Sequence, residues 1–195
     1  MSERAGPSAV EPAVEALQRG DVVGVPTDTV YGIAADPANR PAVAKLFEIK
    51  RRLGIKPIPI LVADVVQAAR VGQLDARARH AGLRHWPGGL TLVVWRAPGL
   101  PDWIGDPDRN TVGVRVPDHP VIRHLLSLYG PLAVTSANRS GSPAAADDCE
   151  ARASLGDEVA VYLPGSGTGA GASTVVDLTG PEPRVLREGP VIWED

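Results

Sequence analysis

The chain has 195 residues, 44% hydrophobic and 22% charged, and 23 acidic against 20 basic side chains leave a formal net charge of −3. That length predicts one domain, no apolar run approaches the ~20 residues of a membrane span, and Met1-Ser2-Glu3-Arg4 lacks the basic and then apolar pattern of a signal peptide. The acidic balance argues against a dedicated duplex-binding face, which needs basic charge to release counterions, and the single cysteine, Cys149, excludes an intrachain disulfide. A cytoplasmic location is the expectation. The basic residues comprise 17 Arg and only three Lys, and Lys45, Lys50 and Lys56 all fall within twelve positions.

Ser8 is placed to cap a first helix in which Val10, Val14 and Leu17 share one face and which Gly20 ends. Asp21 to Val25 reads as a short buried strand stopped by Pro26. A second helix is predicted from about Pro41 to about Arg52, with Val43, Leu46 and Phe47 as its apolar stripe. Ile58 to Val62 reads as an edge or strand start, because Pro59 cannot donate to a ladder. Asp64 to Val71 and Asp75 to Arg84 read as helices, and Trp86-Pro87-Gly88-Gly89 turns into the strand Leu90 to Trp95.

The second half predicts a strand over Thr111 to Val116, a helix over Pro120 to Tyr129, and a short strand Leu132 to Val134. A small helix around Asp147 to Ser154 precedes strands near Val159 to Leu163, Ser173 to Leu178 and Arg184 to Leu186. Helices and strands alternate early while strands crowd late. The pattern predicts one α/β (α+β) domain over residues 1–195, built on a mixed parallel and antiparallel sheet.

The run from Gly165 to Gly171 leads into a strand rather than a helix, so it fails the requirement of a dinucleotide fingerprint and reads as a loop. The histidines form two His-x4-His pairs, which is no zincin arrangement, and no metal site is expected. Ile49 to Pro57 carries four cations in seven positions, Lys50, Arg51, Arg52 and Lys56. They suit either a solvated helix end or an anion site. Pro26-Thr27-Asp28-Thr29-Val30-Tyr31-Gly32 reads as a polar turn whose hydroxyls either cap amides or line a pocket at a strand end. Ser136-Ala137-Asn138-Arg139-Ser140-Gly141 has the same design.

In this order, these segments resemble the YrdC-like family of L-threonylcarbamoyladenylate synthases, in its short, single-domain form. The resemblance rests on Pro26 to Gly32, Phe47 to Arg52, Trp86 to Gly89, Val112 to Pro117, Ser136 to Asn138 with Ser140-Gly141, Ser173 to Asp177 and Leu186 to Gly189. It spans about residues 10–192. It implies an open, twisted mixed sheet with flanking helices and a concave, cationic site. The implied substrates are L-threonine, bicarbonate and ATP with Mg²⁺. The implied product is threonylcarbamoyl-AMP, which partner transferase proteins use at position 37 of tRNA.

Residue by residue, the resemblance places ATP contacts on Arg52, Lys56, Thr111, Ser136, Asn138 and Arg187, and catalysis on Lys50 and Arg52. It places L-threonine contacts on Thr29, Arg115 and Ser173. Two positions depart from the family pattern: Leu53 replaces a proline, and Leu61 a histidine beside the threonine. The competing readings are a tRNA or double-stranded RNA binding module of the same fold without adenylation, and a related carbamoyl-transfer enzyme.

Overall fold

A computed structural model describes residues 10–51, 57–169 and 171–194. The first helix, α1 (Glu11–Gln18), starts after Val10 and carries Pro12 in its first turn, where a missing N–H costs nothing; Ser8 lies outside the described residues. Strand β1 (Val23–Val25) pairs antiparallel with β2 (Gly32–Ala35), a strand in a segment read as leading to the next helix. Helix α2 (Arg40–Ile49) is capped by the Asn39 side chain, which accepts from the Ala42 amide. It ends three residues before the sequence expectation.

Strand β3 (Ile60–Leu61) is followed by α3 (Val65–Val71) and α4 (Ala76–His85), capped by Asp64 and Asp75 respectively. Strands β4 (Leu90–Trp95) and β5 (Thr111–Arg115) form an antiparallel pair. Helix α5 (Pro120–Tyr129), β6 (Leu132–Ser136), α6 (Asp148–Leu155), a 3-10 turn over Gly156–Glu158, β7 (Val161–Tyr162), β8 (Thr174–Asp177) and β9 (Arg184–Arg187) complete the described chain. No helix among the described residues is long and apolar enough to cross a membrane.

The strands form one sheet in the order β7-β1-β2-β6-β3-β5-β4-β8-β9. β1/β7, β3/β5 and β4/β8 are parallel, and the other neighbours are antiparallel, so the sheet is mixed as the sequence predicts. Side chains alternate between faces along each strand. Leu90, Leu92 and Val94 of β4 and Val112 and Val114 of β5 enter the larger core with buried residues of α2, α3, α4 and α6. On the opposite face, α1 and α5 bury Leu17, Ile122, Leu125 and Leu126 against Val23, Val25, Ala34, Leu61 and Val134. α1 packs on β1 and β7, whereas α3 and α4, the helices packed on β5 and β4, lie on the other face. The Thr91 and Arg115 face of the sheet therefore stays open beyond β3, and the cavity lies there.

Candidate anion-binding active site

A cavity of about 560 Å³ opens on that face. Its wall joins the Thr27 to Gly32 turn, the C-terminal end of α2, the ends of β3, β5 and β6, and residues of β9 and the segment before β8. Lys50, Arg115 and Arg187 line it, and no acidic side chain does among the described residues.

One half is built on Arg115, at the end of β5 and 5% exposed. Its Nε donates to the Gly88 carbonyl at 2.9 Å, Nη1 to Thr29 Oγ1 at 2.9 Å, and Nη2 to Asp28 Oδ1 at 2.6 Å. A guanidinium carries five N–H donors, so part of the fork remains for a ligand. Burial lowers the Arg115 pKa, and the adjacent Asp28 carboxylate pushes it back. Arginine stays protonated through such shifts.

The hydroxyl protons beside Arg115 can be assigned from their partners. Thr27 Oγ1 donates to the Val30 carbonyl at 2.6 Å, which uses its one proton. The 3.0 Å contact between the Thr27 and Thr29 hydroxyls is then donated by Thr29. Thr29 Oγ1 accepts from Arg115, so its remaining capacity is as an acceptor, suited to an N–H of a ligand. Across the cavity, Ser173 Oγ contacts Thr91 Oγ1 at 2.8 Å, and Arg187 donates to Ser173 O and Oγ at 2.9 and 3.1 Å.

The other half joins α2 to the loop after β6. Lys50 is 5% exposed, and its ammonium reaches Ser136 O and Oγ and Asn138 O and Oδ1 at 2.7 to 3.2 Å. Asn138 Oδ1 also accepts from Ser136 Oγ, while its Nδ2 donates to Arg139 O and Ser142 O. Every donor and acceptor of the Asn138 amide is thus used within the protein. Asn138 shapes this loop, and Lys50 binds it to α2.

The structure brings seven of the expected site residues to one wall: Thr29, Lys50, Arg115, Ser136, Asn138, Ser173 and Arg187. Arg52 and Lys56 lie outside the described residues. Thr111, expected among the ATP contacts, stands apart from these seven. It starts β5 opposite Trp95, bonded through its backbone to Asp106, about 13 Å along the strand from Arg115, and it is not on the cavity wall. Leu61 is on the wall, beside Arg115 in the adjacent strand.

Sequence reading missed Asp28 as the ionic partner of Arg115, having placed it only within a polar turn. It also missed Thr91, whose alternation with core-facing Leu90 and Leu92 was the available signal. The glycine-rich run is stitched to the Thr27 to Val30 turn: Thr168 Oγ1 donates to Asp28 O at 2.8 Å. A Cβ on Gly167 would sit 2.6 Å from Thr29 O, so only glycine permits this approach.

Fold and site together define an α/β domain that presents a cationic, hydroxyl-rich cavity on the uncovered half of a mixed sheet. Residues 15–189 match the Sua5/YciO/YrdC family, described as "Telomere recombination", and the chain belongs to that family. A Mycobacterium tuberculosis relative is 46% identical over 185 residues, 93% of this chain and 84% of its own length. A Vibrio cholerae relative named threonylcarbamoyl-AMP synthase is 37% identical over 185 residues, 92% of this chain and 97% of its own. The crystal structure of P. abyssi Sua5 complexed with L-threonine matches with a TM-score of 0.90 and 33% identity. That match covers 96% of this chain, which spans 56% of the P. abyssi chain.

Proposed function

We propose that this chain is an L-threonylcarbamoyladenylate synthase, a nucleotidyltransferase that joins L-threonine, bicarbonate and ATP. The observation that carries the reading is that Lys50, Arg115 and Arg187 line one cavity with no carboxylate among its described residues. Both reacting partners are anions, and such a wall is suited to neutralising their repulsion and holding them in line.

The threonine carboxylate would take the remaining fork of Arg115, and its nitrogen would face the acceptor oxygen of Thr29. The neutral amine adds to carbon dioxide from bicarbonate and loses a proton, giving a carbamate. A carbamate oxygen then bonds to the α-phosphorus of ATP as the bond from that phosphorus to the pyrophosphate oxygen breaks. Arg187 and the loop set by Lys50, Ser136 and Asn138 would flank the phosphates, with Arg52 and Lys56 joining them by family resemblance. Mg²⁺ would enter with ATP, carried on the nucleotide's phosphate oxygens.

Under this reading the enzyme works in the cytoplasm, and its product passes to transferase proteins that modify tRNA. Mass spectrometry after incubation with ATP, bicarbonate and single amino acids tests it. A threonine-dependent threonylcarbamoyl-AMP peak with matching pyrophosphate is expected; its absence overturns the reading. The alternative is an RNA-binding role: half-exposed Trp95 sits with Arg109 and Arg184 in another cleft, where both arginines also pair with Asp177. RNA binding with steep salt dependence and no ATP turnover would select it.

A further inference from the structure

The end of α2 has an unusual cap. A helix leaves its last carbonyls without intrahelical donors, and here a remote loop supplies them. Arg139 Nη1 donates to the Ile49 carbonyl, and the Ser140 amide donates to the Lys50 carbonyl at 2.8 Å. The other end of the Arg139 guanidinium donates to Glu158, in the 3-10 turn after α6. Immediately beyond, Arg51 adopts a φ of 48°, a region that side chains other than glycine rarely enter. Arg51 thus departs from helical backbone directly after Lys50, where the cationic run begins.

We propose that Arg139, anchored by Glu158, is a positioning residue for the nucleotide half of the site. It fixes the end of α2, and with it Lys50 and the start of the cationic run, against the Ser136 to Ser142 loop. Arg139 does not line the cavity, so its effect passes through Lys50 and the backbone of residues 49 to 51. A guanidinium at a helix C-terminus also meets the negative end of the helix dipole. Glu158 is held below its ordinary pKa chiefly by its hydrogen bond from Arg139, and the charges of Arg139 and Arg51 add to this. The Arg115, Thr29 and Ser173 half shares none of these contacts.

That separation sets the test, and the assignment of the two halves rests on the proposed function. Calorimetric titration of Arg139→Ala should show ATP affinity weakened by about tenfold or more, with L-threonine affinity within about twofold of the wild type. Arg139→Lys, which reaches one anchor but not both, should fall between. ATP affinity within about twofold of wild type in Arg139→Ala, or an equal loss for both ligands, overturns the proposal. Should Arg139→Ala fail to fold, Glu158→Gln carries the test through the same split, and unchanged ATP binding there overturns it. Wild-type protein that binds ATP but releases no threonine-dependent pyrophosphate would sink the synthase reading while leaving this comparison intact.

Discussion

Asp28 Oδ1 lies 2.6 Å from Arg115 Nη2, and the pair is buried, with side chains 12% and 6% exposed. The carboxylate holds the guanidinium from one side while Thr29 and Gly88 hold it from two others. Asp28 is absent from the cavity wall, so Arg115 can meet an anionic ligand while its own charge is balanced from behind.

Removing one partner of a buried pair costs about 3–5 kcal/mol. Asp28→Ala should therefore lower stability by that order in chemical denaturation. Asp28→Asn keeps an acceptor and should lose less. It should still raise the KM for L-threonine by about tenfold while leaving the KM for ATP unchanged. Parallel rises in both constants would count against a role confined to the Arg115 half.

Gly167→Ala would place a methyl group 2.6 Å from Thr29 O and 2.9 Å from Val30 Cα, both backbone atoms. The turn has to move, at about 1–3 kcal/mol, and the KM for threonine should rise with it. Gly180→Ala is the control, because its Cβ meets only Glu182 O at 3.5 Å. Its effect on stability should stay within about 0.5 kcal/mol. Equal kinetics for the two variants would contradict the packing argument.

Lys50 and Lys45 offer a second contrast. Lys45 is about half exposed, 3.7 Å from Asp21 and 3.3 Å from the Gly20 carbonyl. Lys45→Arg should leave turnover within about twofold. Lys50→Arg puts a planar fork where a compact ammonium reaches oxygens of Ser136 and Asn138, and turnover should fall by about tenfold or more. Steady-state rates on the two variants side by side check this.

Asp177 predicts a pH dependence. Burial would raise its pKa, but hydrogen bonds from Thr179 and Arg109 outweigh this and leave it below the ordinary 3.8. A depressed carboxylate pKa stabilises the fold fully above the unfolded value, and that stability is lost as pH falls through the folded one. The difference in unfolding free energy between wild type and Asp177→Asn should be constant near neutrality and shrink as pH falls below 3.8. A difference that grows in acid would be the wrong sign.

Much of this molecule was legible in its sequence. Helices α2 to α5 appear within a few residues of their periodic patterns, because buried faces such as Val43, Leu46 and Ile49 repeat at helical spacing. Seven of the expected site residues meet on one wall because each stands at or beside the end of an element, most of which those patterns already implied. β2 was not legible. Gly-Ile-Ala-Ala is buried on both faces, so no alternation marks it, and only its pairing with β1 and β6 makes it a strand.

Other features needed the tertiary structure outright. Arg184 and Arg187 are three residues apart, an odd spacing that strict alternation sends to opposite faces. The register shift at Val175/Val176 absorbs one residue. Arg187 can then reach the cavity while Arg184, opposite Asp177, lines the neighbouring cleft on the same face. The lysine cluster noted in the composition divides in the same way. Lys45 stays at the surface, Lys50 becomes the bond between α2 and the β6 loop, and Lys56 lies outside the described residues. The sequence by itself determined which side chains were available and which elements would carry them, since propensity and periodicity are local. The partnerships of Asp28 with Arg115 and of Arg139 with Ile49 and Glu158 were decided only by the fold. They join residues 87, 90 and 19 positions apart, and no local pattern encodes such contacts.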